Sequence, residues 1–413
     1  MRIDPYLIRK DFPYFQSPEG ATIYLDNAAT TQKPICVLNA MQDVYIHSCA
    51  NIHRGNHRLA RSAEAAYQQA RETVRRFLNA RESCEIIFTG GATDSVNLLS
   101  QAYCQRHLHE RSNLVVTALE HHSNFIPWQQ RCRETGAELR IVPVSSSGIL
   151  DKEEWNRMID GDTALAVVTG MSNAIGCRLP LEELIQTAHA KGVPVLVDAS
   201  QLIAHRRIDV QKLGCDFLVF SGHKLYGPQG IGVLYGKREF LQELPPPRFG
   251  GGMIERLDMR GENIYQQLPW AWEAGTPNIA GAAGLASAMT YLESIGMDAI
   301  EAHEAELIRE AWTLLVAMPG VRLLGAESSV ISFLIDGISP YDAGVFLDFC
   351  QIAVRCSAHC AHPLMHALGI SATIRASFGL YNTKEDVKKL AEAVSRLCRR
   401  IRKEGMPHGD QVG

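Results

Sequence analysis

No run in the sequence approaches the roughly 18 uninterrupted apolar residues of a membrane-spanning helix. Met1–Pro13 also lacks an apolar core of signal-peptide length, because Arg2, Asp4, Arg9, Lys10 and Asp11 interrupt it. Together these absences argue against a membrane partner and lead to the expectation of a cytoplasmic protein. Net charge is small, -4 over 413 residues, so nothing suggests nucleic acid or an anionic surface as a partner. Internal repeats and low-complexity segments are missing too, as is any pair of CxxC motifs. The 11 cysteines are odd in number and scattered, which argues against a disulfide framework. Most are expected to be small buried apolar groups.

What is present is ordinary for a globular chain: 46% hydrophobic and 21% charged residues. The length is too great for one core. Short apolar runs alternate with amphipathic stretches, the pattern of βα units around a mainly parallel sheet. Strands are expected at Glu85–Phe88, Leu114–Thr117, Leu165–Val168, Val193–Val197 and Phe217–Phe220. Tyr67, Ala70, Val74 and Phe77 mark the inner stripe of a helix. Leu244–Gly252 contains three prolines and three glycines and reads as a loop. Beyond about residue 295 the pattern changes. A long helix (Ala299–Met318), a strand pair (Val321–Leu324, Val330–Ile335) and a terminal helix capped by Thr383 are expected. The expected division is an N-terminal segment 1–20 packing with the smaller domain, a large α/β domain 21–295, a small α+β domain 296–404 and a flexible tail 405–413.

Open α/β sheets bind ligands beyond the carboxyl ends of their strands. The first run leads into Thr89-Gly90-Gly91-Ala92-Thr93, a helix start suited to an anion. The others lead into Glu120-His121-His122, Ser172-Asn173, Asp198-Ala199-Ser200-Gln201 and Ser221-Gly222-His223-Lys224. Taken singly, each has a bland reading: a cap, a solvated lysine, a surface pair. Taken together they suit an aldehyde cofactor. Lys224 is the amine for a Schiff base. Asp198 is the anion that keeps a pyridine nitrogen protonated. His121 is a stacking ring, and Thr93, Ser221 and His223 are phosphate donors.

The run Ser221-Gly222-His223-Lys224-Leu225-Tyr226-Gly227-Pro228 resembles the lysine motif of class V pyridoxal-phosphate (PLP) enzymes. More narrowly, it is similar to the Suf-type (group II) cysteine desulfurases and selenocysteine lyases. Tyr24–Thr30, His53-Arg54-Gly55, Glu120–Asn124, Ser172-Asn173, Glu273–Asn278, Arg375–Ser377 and Tyr381–Thr383 agree. The resemblance implies PLP-transferase fold type I, with a mainly parallel seven-stranded sheet. It assigns Lys224 to the cofactor and to proton movement, Asp198 to the ring nitrogen and Gln201 to the phenolic oxygen. His121 would stack on the ring, with Asp94 beside Thr93 in the cofactor site. Asn173, Arg355, Arg375, His53 and Arg54 would bind substrate. Thr276 would complete the neighbouring subunit's site, which implies a homodimer.

Cys360 occupies the position of the sulfur-accepting cysteine in that resemblance. The implied function is cysteine desulfurase: L-cysteine gives L-alanine and a persulfide on Cys360, for a SufE-like acceptor or an Fe–S scaffold. A thiolate is needed, and Arg355 and His359 are the local candidates for lowering its pKa. The main alternative is selenocysteine lyase acting on L-selenocysteine; another class V reaction is the third reading. Cys356, His359, Cys360 and His362 would also make a metal cluster, but beside the cofactor set no metal is called for. Cys356, four residues from Cys360, is a candidate second sulfur acceptor or disulfide partner.

Overall fold

The computed structural model describes residues 3–261, 263–325 and 328–404. The tail expected at 405–413 lies outside the described residues. The main sheet contains β1 (Ile86–Thr89), β2 (Asn113–Thr117), β3 (Glu138–Val142), β4 (Thr163–Thr169), β5 (Val195–Asp198), β6 (Phe217–Ser221) and β7 (Gly232–Gly236). Its order is β1-β7-β6-β5-β4-β2-β3, seven strands in all. The pairs from β6 through to β3 are parallel, and β7 runs antiparallel to both of its neighbours. The fold is thus the expected α/β arrangement.

Each strand feeds two cores, because successive side chains leave opposite faces of a sheet. Leu114, Val116, Leu165, Val167, Leu196, Phe217 and Val219 pack on one side. Val115, Ala166, Val168, Val195, Val197, Leu218 and Phe220 pack on the other. Helices α1 (Arg58–Leu78), α2 (Ala92–His107), α3 (His122–Thr135) and α4 (Ile279–Ile295) belong to these layers. The expected stripe of Tyr67, Ala70, Val74 and Phe77 on α1 is buried.

A second, antiparallel sheet holds β8 (Val321–Leu324), β9 (Val330–Ile335), β10 (Arg355–Ser357) and β11 (Thr373–Ser377), in the order β8-β9-β11-β10. It shares a separate core with α5 (Met297–Val316), α6 (Pro340–Phe349) and α7 (Lys384–Glu404). The cap of α7 is reciprocal. Asp386 N–H donates to Thr383 Oγ1 (3.2 Å), and Thr383 N–H donates to Asp386 Oδ2 (2.9 Å). The chain near residue 25 pairs with the C-terminal part: Ile23 and Tyr24 pair with Ile352 and Ala353, and Asp26 bridges to Ser377 of β11. No helix among the described residues is long and apolar enough to cross a membrane.

Candidate functional site

A cavity of about 310 Å3 lies beyond the carboxyl ends of the parallel strands. Thr93, His121, Asn173, Asp198, Ser221, His223, Lys224, Arg355, Cys360 and Arg375 all line it. The rim is built by close backbone approach. Gly91 has φ of 145°, and a β-carbon on Gly232 would lie 2.5 Å from the Gly91 Cα. This contact draws β7, and with it Ser221 of β6, which pairs with Gly232, under the first turn of α2, where Ser221 Oγ accepts from Ala92 N–H (2.8 Å). Thr93 Oγ1 lies 2.6 Å from Ser123 Oγ. First-turn N–H groups have no acceptor inside their helix, so this end suits an anion.

Asp198 closes β5, and its Oδ1 accepts from Ser200 N–H (2.9 Å). Lys224 follows β6. Burial lowers its pKa, with Asp198 opposing, so the amine is made more nucleophilic. His121 Nδ1 accepts from Ser123 N–H (3.1 Å), which leaves Nε2 to carry the ring proton. Burial, and then the Lys224 charge, push the His121 pKa down to about 3, so the ring is neutral. Gln201 is buried behind the cavity wall and donates to the Ala28 carbonyl (2.8 Å). Arg375 NH1 donates to the Asn173 carbonyl (2.8 Å), and its NH2 donates to Asp26 (3.1 Å).

Not every expected residue comes to this cavity. Asp94 lines a neighbouring groove, where its carboxylate accepts from Gly90 N–H (2.9 Å) and pairs with Arg248. His53 and Arg54 line a separate cavity of about 480 Å3 with Trp270. The Gly275 carbonyl and the His53 ring both border Gly252, so the loop before Thr276 belongs to that second group.

The surroundings of Cys360 differ from expectation. His359 is buried, its ring Nε2 2.7 Å from Thr373 Oγ1 and its Nδ1 3.1 Å from Ser357 Oγ. Burial, reinforced by Arg375, lowers its pKa to about 3, so it brings no positive charge to Cys360. Arg355 forks onto Asp26 at 2.8–3.1 Å, yet it and Lys224 both lie within electrostatic reach of Cys360. Cys356 points the other way, because alternate residues of β10 face opposite sides. Its Sγ lies 2.6 Å from where a Gly344 β-carbon would sit on α6, and it packs against the second core. That orientation removes it as a relay or disulfide partner for Cys360. No cluster of three or more metal-ligating groups occurs among the described residues.

Three residues of this neighbourhood had no role in the sequence reading. Asp26 is shared by Arg355 and Arg375. Glu120, fully buried, accepts from Thr117 Oγ1 (2.6 Å), Asn124 Nδ2 (2.6 Å) and Thr169 N–H (2.8 Å), tying the His121 turn to β4. Burial, assisted by Asp198, raises its pKa to about 8. Lys33 Nζ donates to the His223 carbonyl (2.9 Å), which also accepts from Thr31 N–H and from the Thr30 and Thr31 hydroxyls. The peptide leading into Lys224 is thereby fixed. Only the position of Asp26 in the quoted Tyr24–Thr30 run, and of Glu120 before the histidine pair, signalled these roles.

The cavity also carries unmet bonding capacity. Ser200 Oγ, Asn173 Oδ1 and Arg375 Nε are buried without a partner, and all three residues line it. Natural proteins seldom leave such atoms unpaired. With an anion cradle, a buried amine and a carboxylate opposite, the site fits a phosphorylated aldehyde and a carboxylate-bearing substrate.

Residues 23–390 match the model of the aminotransferase class-V family, and the chain belongs to that family. A cysteine desulfurase of Synechococcus elongatus is 43% identical over 399 residues, which cover 95% of this chain and 64% of that longer protein. A probable cysteine desulfurase of Halalkalibacterium halodurans is 44% identical over 393 residues, covering 94% of this chain and 97% of the relative. Among solved structures, a cysteine desulfurase from Thermococcus onnurineus NA1 superimposes with a TM-score of 0.92 at 37% identity, covering 97% of this chain and 99% of that one. Within class V, the chain belongs with the cysteine desulfurases. Enzymes of this family depend on PLP.

Proposed function

We propose that the chain is a group II (Suf-type) cysteine desulfurase that holds PLP on Lys224 and takes the sulfur of L-cysteine onto Cys360. One observation carries the reading: Lys224, Asp198, Arg375 and Cys360 line one cavity, although they come from four separate segments. Thr93, Ser221 and His223 hold the phosphate, Asp198 the ring nitrogen and His121 the ring face. The bound cofactor supplies an electron sink that loosens the Cα–H and Cβ–Sγ bonds of the substrate. Arg375 and the Asn173 amide hold the substrate carboxylate. Lys224 Nζ takes the Cα proton. The Cys360 thiolate attacks the substrate sulfur: an S–S bond forms, the Cβ–Sγ bond breaks, the electron pair left on Cβ takes a proton, and Lys224 returns a proton to Cα to give alanine.

His53, Arg54 and Thr276 serve the cavity of a second copy in a homodimer. Their grouping apart from Lys224 in one chain supports this reading. The chain divides near residue 295, as the separate core of the second sheet suggests. The persulfide goes to a SufE-like acceptor or an Fe–S scaffold in the cytoplasm, a setting consistent with all 11 cysteines being free thiols.

The test is a visible spectrum of the purified protein before and after L-cysteine, with alanine and sulfide assayed together. Colour is lost in Lys224→Ala, and Cys360→Ala loses desulfuration of cysteine. Full sulfide release by Cys360→Ala refutes the persulfide route. Turnover of L-selenocysteine but not of L-cysteine by the unsubstituted protein identifies a selenocysteine lyase.

A further inference from the structure

The turn that carries Cys360 has a costly backbone. His359 and Cys360 both have φ of 53°, the left-handed region that residues with a β-carbon avoid. Such a conformation persists only where the surroundings impose it. Two carbonyls of the turn are tied down. That of His359 accepts from Asn173 Nδ2 (2.7 Å), and that of Cys360 from the His122 backbone N–H (2.8 Å). The His122 side chain adds a further tie. Its Nε2 lies 2.9 Å from His362 Nδ1, with the rings 18° from parallel. One residue of α3 thus grips the turn on both sides, at residue 360 through its backbone and at residue 362 through its ring.

A hydrogen bond between two imidazoles needs one proton between the facing nitrogens. A neutral pair has it, and so does a singly protonated pair. A doubly protonated pair sets N–H against N–H and two like charges side by side, so the bond fails. The neighbours do little to rescue the second proton. Beside the pair lie His121, kept neutral by burial, and His366 on the following short helix. Along the groove on α3, Arg131 and Glu134 pair with each other (2.6 Å). Cys360, when ionised, is the anion on the turn itself.

We infer that His122 and His362 are positioning residues that hold the Cys360 turn through one shared proton, and that a second proton on the pair releases it. The inference rests on Cys360 being the sulfur-accepting residue, but its test reads the turn and not turnover. Clamped, the thiol is presented to the substrate sulfur in one geometry. Released, the turn relaxes out of its left-handed conformation and the thiol leaves that geometry.

The experiment is backbone hydrogen exchange of residues 121–123 and 357–362 in the full-length, cofactor-loaded protein, with His362→Leu and His362→Gln alongside. Comparing proteins at one pH cancels the intrinsic pH dependence of exchange. At pH 8, His362→Leu is expected to exchange about 5-fold faster than the unmodified protein, the value of one ordinary hydrogen bond. At about pH 4, low enough to overcome the lowering of the His122 pKa by burial and by the facing His362, that excess is expected to vanish. His362→Gln keeps an amide that donates to His122 Nε2 and is expected to stay within about 2-fold at pH 8. Equal exchange of the leucine variant at pH 8, or an excess unchanged in acid, overturns the inference. Full activity of Cys360→Ala sinks the persulfide reading and leaves this measurement unaffected.

Discussion

Glu273→Leu probes the buried ion pair that anchors the loop before Thr276. Arg71 and Glu273 have side chains only 1% and 3% exposed. The guanidinium reaches the carboxylate at 2.7 and 2.8 Å, inside a box of Tyr67, Phe88 and Trp270 rings 4.8–5.1 Å from Arg71. Glu273 also accepts from Phe88 N–H (2.7 Å) and Tyr67 O–H (2.9 Å). Removing the carboxylate leaves a buried cation unpaired, a loss of about 3–5 kcal/mol. The orphaned Phe88 N–H adds about 1–3 kcal/mol, and the ring faces offset none of this, because their cation–π contacts with Arg71 are already made with Glu273 in place. The single variant should therefore lose about 4–8 kcal/mol in total. Arg71→Met/Glu273→Leu removes the stranded charge, although the Ile86 carbonyl then loses its Arg71 donor. The double variant should be more stable than Glu273→Leu alone by about 2 kcal/mol. Urea unfolding of the cofactor-free protein, followed by circular dichroism, measures both. A double variant no more stable than the single one refutes the argument that an unpaired charge dominates the loss.

Arg375→Lys loses the fork that meets Asn173 and Asp26 at once. The KM for L-cysteine should rise about tenfold or more, with a smaller change in kcat, and an unchanged KM in an alanine assay counts against the carboxylate role. His121 and His223 are held by burial at about 3 and about 4, below the ordinary histidine value near 6.5. The unfolded chain therefore binds more protons in that interval, so stability of the cofactor-free protein should fall as pH drops from about 6.5 towards 4. The urea midpoint of a His121→Asn/His223→Asn protein should fall less over the same range; an equal fall removes these two histidines as the cause. Mixing inactive Lys224→Ala chains with inactive Arg54→Ala chains should restore activity if Arg54 completes the second copy's cavity, and failure to complement in proven mixed dimers argues that each chain uses its own.

Five strands of the main sheet were legible because each is a continuous apolar run buried on both faces, which few other elements can be. The strand expected from Val193 begins at Val195, since Pro194 has no N–H for the ladder. Two strands of the main sheet escaped. Glu138–Val142 lies at one edge of the sheet, where only Val142 is buried, and its charged Glu138 and Arg140 dilute the apolar signal. Gly232–Gly236 begins and ends with glycine and is a strand only because β1 and β6 receive it on either side. The site divides along the same line. Asp198, Lys224 and His121 could be read because each follows its own strand, a purely local relation. Asp26 and Lys33 act on residues about 190 or more positions away, and no local pattern encodes a partner at that distance. Cys356 shows the complementary error. Nearness to Cys360 along the chain suggested cooperation, but in an extended segment a shift of one residue reverses the direction of the side chain. Arg355 and Ser357 therefore line the cavity while the thiol between them packs against α6. Sequence proximity to a reactive group is thus a weak guide inside a strand, where parity decides which side chains meet.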